Sequence, residues 1–171
     1  MTLVAQGFRG LVLALVVLLL SACAQPQLFH QEAYVFGTRV DLTIYGKSLD
    51  KASEAMGEVL REFDRLHHAF HAWKPSELTA LNEAIARGES HVVSDELAEL
   101  LRDAQRIAAD GDYLFDPALG RLIELWGFHA DEFEPVQPDP AEIARILEAR
   151  PSMADLVIDG NLVTSSNPMV Q

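Results

Sequence analysis

The sequence predicts an α+β fold in which antiparallel strands pack with helices. Strand-like alternation occurs early, where Val40, Leu42 and Ile44 interleave with polar neighbours, and again late, in Leu156-Val157-Ile158 and Leu162-Val163-Thr164. The long segments between them carry helical spacing instead. Helices grouped between an early and a late strand pair favour segregated helices and strands over a parallel sheet alternating with helices.

The N-terminus reads as a targeting segment. Arg9 precedes an apolar run from Leu11 to Leu20, and Leu20-Ser21-Ala22-Cys23 then forms a lipobox, so residues 1–22 are expected to be a lipoprotein signal peptide. The run is short for a membrane span, which needs about 20 residues. Cys23 is the only cysteine among the 171 residues and falls where lipidation requires it. The expected product is a lipoprotein held to a membrane, inner or outer, and facing the periplasm. Residues 23–33 would be its lipidated tether and residues 34–171 its folded part. With Cys23 acylated no disulfide can form, so stability must come from packing or from a ligand. Removing the signal leaves roughly 150 residues, enough for one domain.

Composition excludes one class of partner. There are 26 Asp and Glu against 13 Lys and Arg, which argues against binding a nucleic-acid backbone. A magnesium-dependent nucleotide site is compatible with this balance, because divalent cations supply the missing positive charge.

The elements follow in order. Residues 28–35 are a candidate antiparallel partner for the strand around Val40 to Ile44. Ala52, Met56, Val59, Leu60, Phe63 and Leu66 repeat with the period of an amphipathic helix over about 49–70. Ser76 can cap a helix that runs to about Arg87, with Gly88 as its stop, and Ser94 can cap another from Asp95 to about Ala109. The apolar face of the second comprises Leu97, Leu100, Leu101, Ala104 and Ile107. Asp139-Pro140-Ala141-Glu142 reads as a capping-box start for a helix that Pro151 ends. Asp159-Gly160-Asn161 is a hairpin turn between the last two strands.

The most informative segment runs from Gly111 to Phe128. Asp116 is a good N-cap and Pro117 a good first helical residue. Leu119, Leu122, Ile123 and Trp126 then form an apolar stripe expected in the core, and Gly127 can close the helix. Leu114 and Phe115 sit just before the cap, where free amides at a helix start can receive an anion such as phosphate.

This segment resembles the G-x-F-D-P-T-x-x-P-L-x-x-x-W-G-F block of the ApbE family, the FAD:protein FMN transferases. Phe36-Gly37-Thr38 resembles the family's Met-Gly-Thr. His71-Ala72-Trp73-Lys74-Pro75-Ser76-Glu77-Leu78-Thr79-Ala80-Leu81-Asn82 resembles its S-T-Y-x-P-x-S-E-L-x-x-L-N block. The resemblance covers about Tyr34 to Gln171 and implies the mixed α and β fold of that family. It also implies that Phe36, Trp73, Leu114, Phe115 and Asp116 contact a flavin dinucleotide. Phe36 replaces methionine but keeps an apolar wall, and Trp73 replaces tyrosine but keeps a stacking surface.

The implied reaction moves FMN from FAD to a Ser or Thr of a target flavoprotein, releasing AMP with the help of magnesium. In complete members an Asp-x-Gly-Gly-x-x-Lys-Gly block and later Asp and Thr metal ligands follow the hairpin. The resemblance therefore implies a truncated, N-terminal portion of the family's fold, inactive by itself, and assigns neither catalytic residues nor metal ligands here, while a sheet ending after Val163 would expose strand edges and apolar surface, so that low stability is expected as well. The alternative is a non-catalytic periplasmic lipoprotein that binds a flavin nucleotide or serves as an interaction module. Residue by residue, Trp73 also reads as a buried anchor, Phe36 as core and Asp116 as a plain N-cap. His67 and His71 have a spacing that can bind zinc, but histidines at a helix C-terminus need no metal.

Overall fold

The computed structural model describes residues 27–46, 48–132 and 135–171. The expected signal peptide and Cys23 lie outside the described residues. Among the described residues no helix is long and apolar enough to cross a membrane. The chain divides into two compact units, one through Phe63 and one from Asp64.

In the first unit β1 (Gln27–Val35) pairs antiparallel with β2 (Thr38–Gly46), with Val35 opposite Thr38 and Gln27 opposite Gly46. β1 thus takes in residues 27–33 of the stretch expected to be a tether. Phe36 and Gly37 form the two-residue turn with φ of 57° and 71°. That is the left-handed pair a tight hairpin requires, and it costs Phe36 more than it costs glycine. The opposed pairs Phe29–Ile44 and Ala33–Val40 share the less exposed face, as the alternation predicted. On the other face Arg39 lies within ion-pair distance of Glu32 and Asp41. The helix α1 (Leu49–Ala69) follows and buries Ala52 and Met56. Its Phe63 ring meets Phe36 edge-on at 5.7 Å.

The second unit takes the end of α1 and everything after it. Ser76 caps α2 (Glu77–Ala86): its Oγ accepts from the Thr79 amide at 3.1 Å, while the Ser76 amide donates to Thr79 Oγ1 at 2.8 Å. Ser94 caps α3 (Asp95–Asp110), and the Glu77 carboxylate accepts from both the amide and the hydroxyl of Ser94. Between them lies β3 (His91–Val92), which sequence pattern did not predict. A 3-10 turn (Pro117–Leu119) leads into α4 (Gly120–Leu125), and α5 (Pro140–Ala149) follows. A second 3-10 turn (Met153–Asp155) precedes β4 (Leu156–Asp159) and β5 (Leu162–Ser165). β5 is central in an antiparallel sheet of order β3-β5-β4.

The core of this unit joins Leu81 and Ile85 of α2, Leu97 and Ala98 of α3, Val163 of β5 and Met153. Two expectations need correction, the capping box at Asp139 and the buried stripe of α4. Asp139 caps α5 by accepting from the Ala141 amide, but Glu142 pairs with Arg145 at 2.7 Å instead of turning back to complete a capping box. The α3 face is only partly covered, with Leu100 49% and Ile107 48% exposed. The α4 stripe is likewise incomplete: Ile123 and Trp126 stay exposed, while Ala118 and Gly120 are buried. The helix opens with a 3-10 turn, whose residues advance about 120° where those of an α-helix advance about 100°.

Candidate functional site

The site begins where α1 ends. His71 is 7% exposed, and its Nδ1 accepts hydrogen bonds from the amides of Trp73 at 3.3 Å and Lys74 at 3.2 Å. Ser76 Oγ donates to the His71 carbonyl at 2.7 Å, closing the turn at its other end. Trp73 is held half-buried by three neighbours. Its indole meets the His71 ring edge-on at 4.5 Å and stacks on His129 at 5.6 Å with 23° between the planes. Its Nε1 donates to Asp131 at 3.2 Å, and Asp131 also pairs with Lys74 at 2.7 Å. The Lys74 ammonium, and after it the Trp73 bond, hold the Asp131 carboxyl below its ordinary pKa. Burial pushes His129 down against the opposing charge of Glu124. Burial likewise lowers His71, helped by His67 and Lys74.

Beside this loop lies a cavity of about 480 Å³ lined by Ala72, Leu100, Ile107, Phe115, Ile123 and His129, among others. The volume falls in the range of small-molecule sites, and the lining is apolar and aromatic, as ring systems require. The half-exposed residues of α3 and α4 are therefore its walls. Part of the apolar face of α3 and part of the α4 stripe expected in the core are sides of an open pocket.

Phe115 reaches the cavity through an unusual loop. Asp112 and Tyr113 are both left-handed, with φ of 51° and 58°. The Tyr113 amide donates to the Ala108 carbonyl at 2.7 Å and the Leu114 amide to Gly111 at 3.0 Å. Leu114 then projects outward, 95% exposed, while Phe115 borders the cavity. Asp116 turns inward. Its carboxylate accepts from the Ala118 amide at 3.0 Å, from Ser152 Oγ at 2.6 Å and from the Met153 amide at 3.0 Å. It is an N-cap and, beyond that, a staple between two 3-10 turns.

Two of the amides at the start of this helix have partners within the chain. The Ala118 amide is taken by Asp116, and the Gly120 amide donates to the Gln171 carbonyl at 3.0 Å. A cation does lie close by: Arg121 borders a polar recess of about 270 Å³ that shares Ala72, Asn82 and Gln171 with the cavity. Its Nη2 donates to the Pro168 carbonyl at 3.2 Å, whereas its Nε is buried with no partner among the described residues.

Phe115 thus borders the cavity directly, Trp73 reaches it only through its stack on His129, and Asp116 holds the turn that carries Phe115. Phe36 belongs to the first unit and forms the turn described there. Sequence reasoning missed His129 and Arg121. Both lie in or directly after the Trp-Gly-Phe block, but neither sits at a periodic or capping position.

The carboxylates around the cavity do not make a magnesium set. Asp116 is used by three protein donors. Among the described residues, the one group of three His, Asp or Glu side chains able to converge is His30, Glu32 and Asp41, exposed on the β1–β2 hairpin and engaged by Arg39. The zinc spacing of His67 and His71 brings their rings to 4.8 Å, but His71 Nδ1 already serves two amides.

The model of the ApbE family matches residues 36–171. The chain belongs to the ApbE family. A curated FAD:protein FMN transferase from Rhodobacter capsulatus is 42% identical over 162 residues, 95% of this chain and 31% of the relative. The ApbE protein of Thermotoga maritima superposes with a TM-score of 0.73 at 23% identity, over 83% of this chain and 46% of that one. The apo flavinyl transferase ApbE of Pseudomonas stutzeri gives 0.68 at 24% identity, over 84% and 46%. The structural matches show a shared ApbE fold. The chain spans about a third of the length of its curated Rhodobacter relative and about half of each of these structures.

Proposed function

We propose that this chain supplies the FAD-holding face of an FAD:protein FMN transferase, with FAD as donor and a Ser or Thr hydroxyl of a target flavoprotein as acceptor. The observation that carries the reading is the apolar cavity bordered by Phe115 and by His129, on which Trp73 stacks. Membership of the ApbE family and the 42% identical relative support it. A flat aromatic ring entering that cavity would meet the Phe115 and His129 rings of its lining, and such contacts contribute about 0.5–1.5 kcal/mol each beyond area burial. The Arg121 guanidinium beside the cavity is the nearby cation suited to the dinucleotide's phosphates.

In the transfer, the acceptor hydroxyl attacks the phosphorus of the FMN half, the pyrophosphate bond breaks and AMP leaves. The role of this chain's residues is binding and orientation: Trp73 and Phe115 hold rings, and Asp116 fixes the turn that presents Phe115. We read these residues as a binding face that does not by itself complete the transfer. Magnesium, when bound, would neutralise charge on the pyrophosphate, and beside the cavity the described carboxylates do not converge into a three-ligand set for it.

We further propose that Cys23 is acylated and anchors the protein at a membrane, facing the periplasm. This reading rests on the lipobox sequence. Labelling with an alkyne fatty acid should mark the native chain and fail on Cys23→Ala.

The test of the main reading is titration of the chain with FAD, FMN and AMP, followed by flavin and indole fluorescence. FAD should bind more tightly than either half, and Trp73→Ala should weaken it. Equal, unselective binding of all three would sink the proposal. Incubation with FAD, magnesium and a target flavoprotein should leave no covalent FMN on the target.

A further inference from the structure

We propose that His71 is a positioning residue for Trp73: a neutral imidazole whose Nδ1 accepts two loop amides, so that protonation of that ring releases the loop. The bonds themselves set the tautomer. Two N–H groups, of Trp73 and Lys74, point at one nitrogen, so Nδ1 must carry its lone pair and Nε2 the proton. A proton on Nδ1 would set three N–H groups against one another in a site that is almost wholly buried. Either the ring turns away or the amides do.

The amides belong to the residues that matter. Trp73 presents its indole to His129, and Lys74 holds Asp131, which in turn holds the indole Nε1. The far end of the turn is fixed independently, since Ser76 caps α2 and its hydroxyl donates to the His71 carbonyl. Residues 72–75 are therefore held at Ser76 by a helix cap and at His71 by a titratable ring. Only the second can let go within the physiological pH range.

Most charges around the ring act in the same direction. His67 and His68, from the last turn of α1, and Lys74, from the loop, all disfavour a cation at His71, and burial is the largest effect. Asp131 alone opposes them, and it is exposed and shared with Lys74. His129 faces the indole from the other side with Glu124 near it. The loop is thus held at neutral pH and released below the ordinary histidine range, near 6.5. The consequence for flavin rests on the FAD reading above, whereas the release of the loop does not.

The test uses the whole chain in detergent with Trp126→Phe, which leaves Trp73 as its single tryptophan. Indole emission and acrylamide quenching are followed from pH 8 to pH 5 without flavin, with far-UV circular dichroism as a control for folding. Trp73 should become more exposed in one step with a midpoint below 6.5, while the circular dichroism stays constant. His71→Asn, whose Oδ1 replaces Nδ1 as acceptor, should keep the neutral-pH spectrum throughout. His71→Ala should show the acid spectrum at every pH. Persistence of the step in His71→Asn would assign it to another histidine and overturn the proposal, as would the absence of any step in the unsubstituted chain. In a second arm FAD affinity is measured at pH 7.5 and 5.5, with a several-fold loss expected for the native His71 and little change for His71→Asn. FAD binding absent at both pH values defeats the FAD reading while the indole titration still decides the role of His71.

Discussion

The Trp73 indole and the His129 imidazole lie nearly parallel, 23° between planes and 5.6 Å between centroids. One comes from the turn after α1 and the other from the turn after α4. Their contact is what ties the loop of the first motif to the end of the second, beside the cavity.

Trp73→Ala removes this stack and the bond to Asp131. FAD affinity should fall by about 5- to 30-fold, the loss of roughly 1–2 kcal/mol expected from one stacking aromatic. Trp73→Phe should recover part of it. Isothermal titration of both variants with FAD reads the difference.

Asp116→Ala strands the Ala118 and Met153 amides and the Ser152 hydroxyl. A loss of about 3 kcal/mol in unfolding free energy is expected, since hydrogen bonds to a charged group are worth about 1.5–3 kcal/mol and stranded donors add a further penalty. Asp116→Asn retains one acceptor oxygen and should lose about half as much. Urea unfolding of the pair measures both.

Gly120→Ala should disturb the C-terminal segment. A Cβ there would stand 2.6 Å from the Gln171 carbonyl oxygen, a backbone atom that cannot swing aside as a side chain can. Strain of about 1–3 kcal/mol is expected. The measurable results are a lower melting temperature and faster amide exchange at Gly120 itself, whose hydrogen bond to Gln171 is broken.

Acid should destabilise the fold before any carboxylate titrates. His71 and His129 both have lowered pKa values in the folded chain, chiefly through burial. The unfolded chain therefore binds more protons just below the ordinary histidine value of about 6.5. Their contribution to stability is complete above that value and shrinks as pH falls through it toward the folded values. The urea midpoint should be flat from pH 8 to 7 and drop between pH 6.5 and 5. A midpoint that rises over that interval contradicts the assignment of both rings as buried and neutral.

Much of the fold was legible because local chemistry dictated it. Period-two alternation set the β1–β2 pairing, Ser76, Ser94, Asp116 and Asp139 marked helix starts, and Asp159-Gly160-Asn161 marked the last turn. β3 was not legible, since two residues carry no period and His91 and Val92 become a strand only by meeting β5. Of the site, the sequence named Trp73 and Phe115 through resemblance alone. It could not show that Leu100 and Ile107 line an open cavity, because spacing reports that a face is apolar and not whether anything covers it. Nor could it foresee that a 3-10 turn would open α4, or that the Ala118 and Gly120 amides would be claimed by the chain itself.

The staple at Asp116 bears on affinity as well as on stability. By joining the Pro117 turn to Ser152 and Met153, it immobilises the backbone that displays Phe115 before any ligand arrives. Ordering a free loop around a ligand costs about 1–2 kcal/mol of conformational entropy per residue. Here that loss is incurred once, during folding, so a ring stacking on Phe115 keeps the full value of its contact.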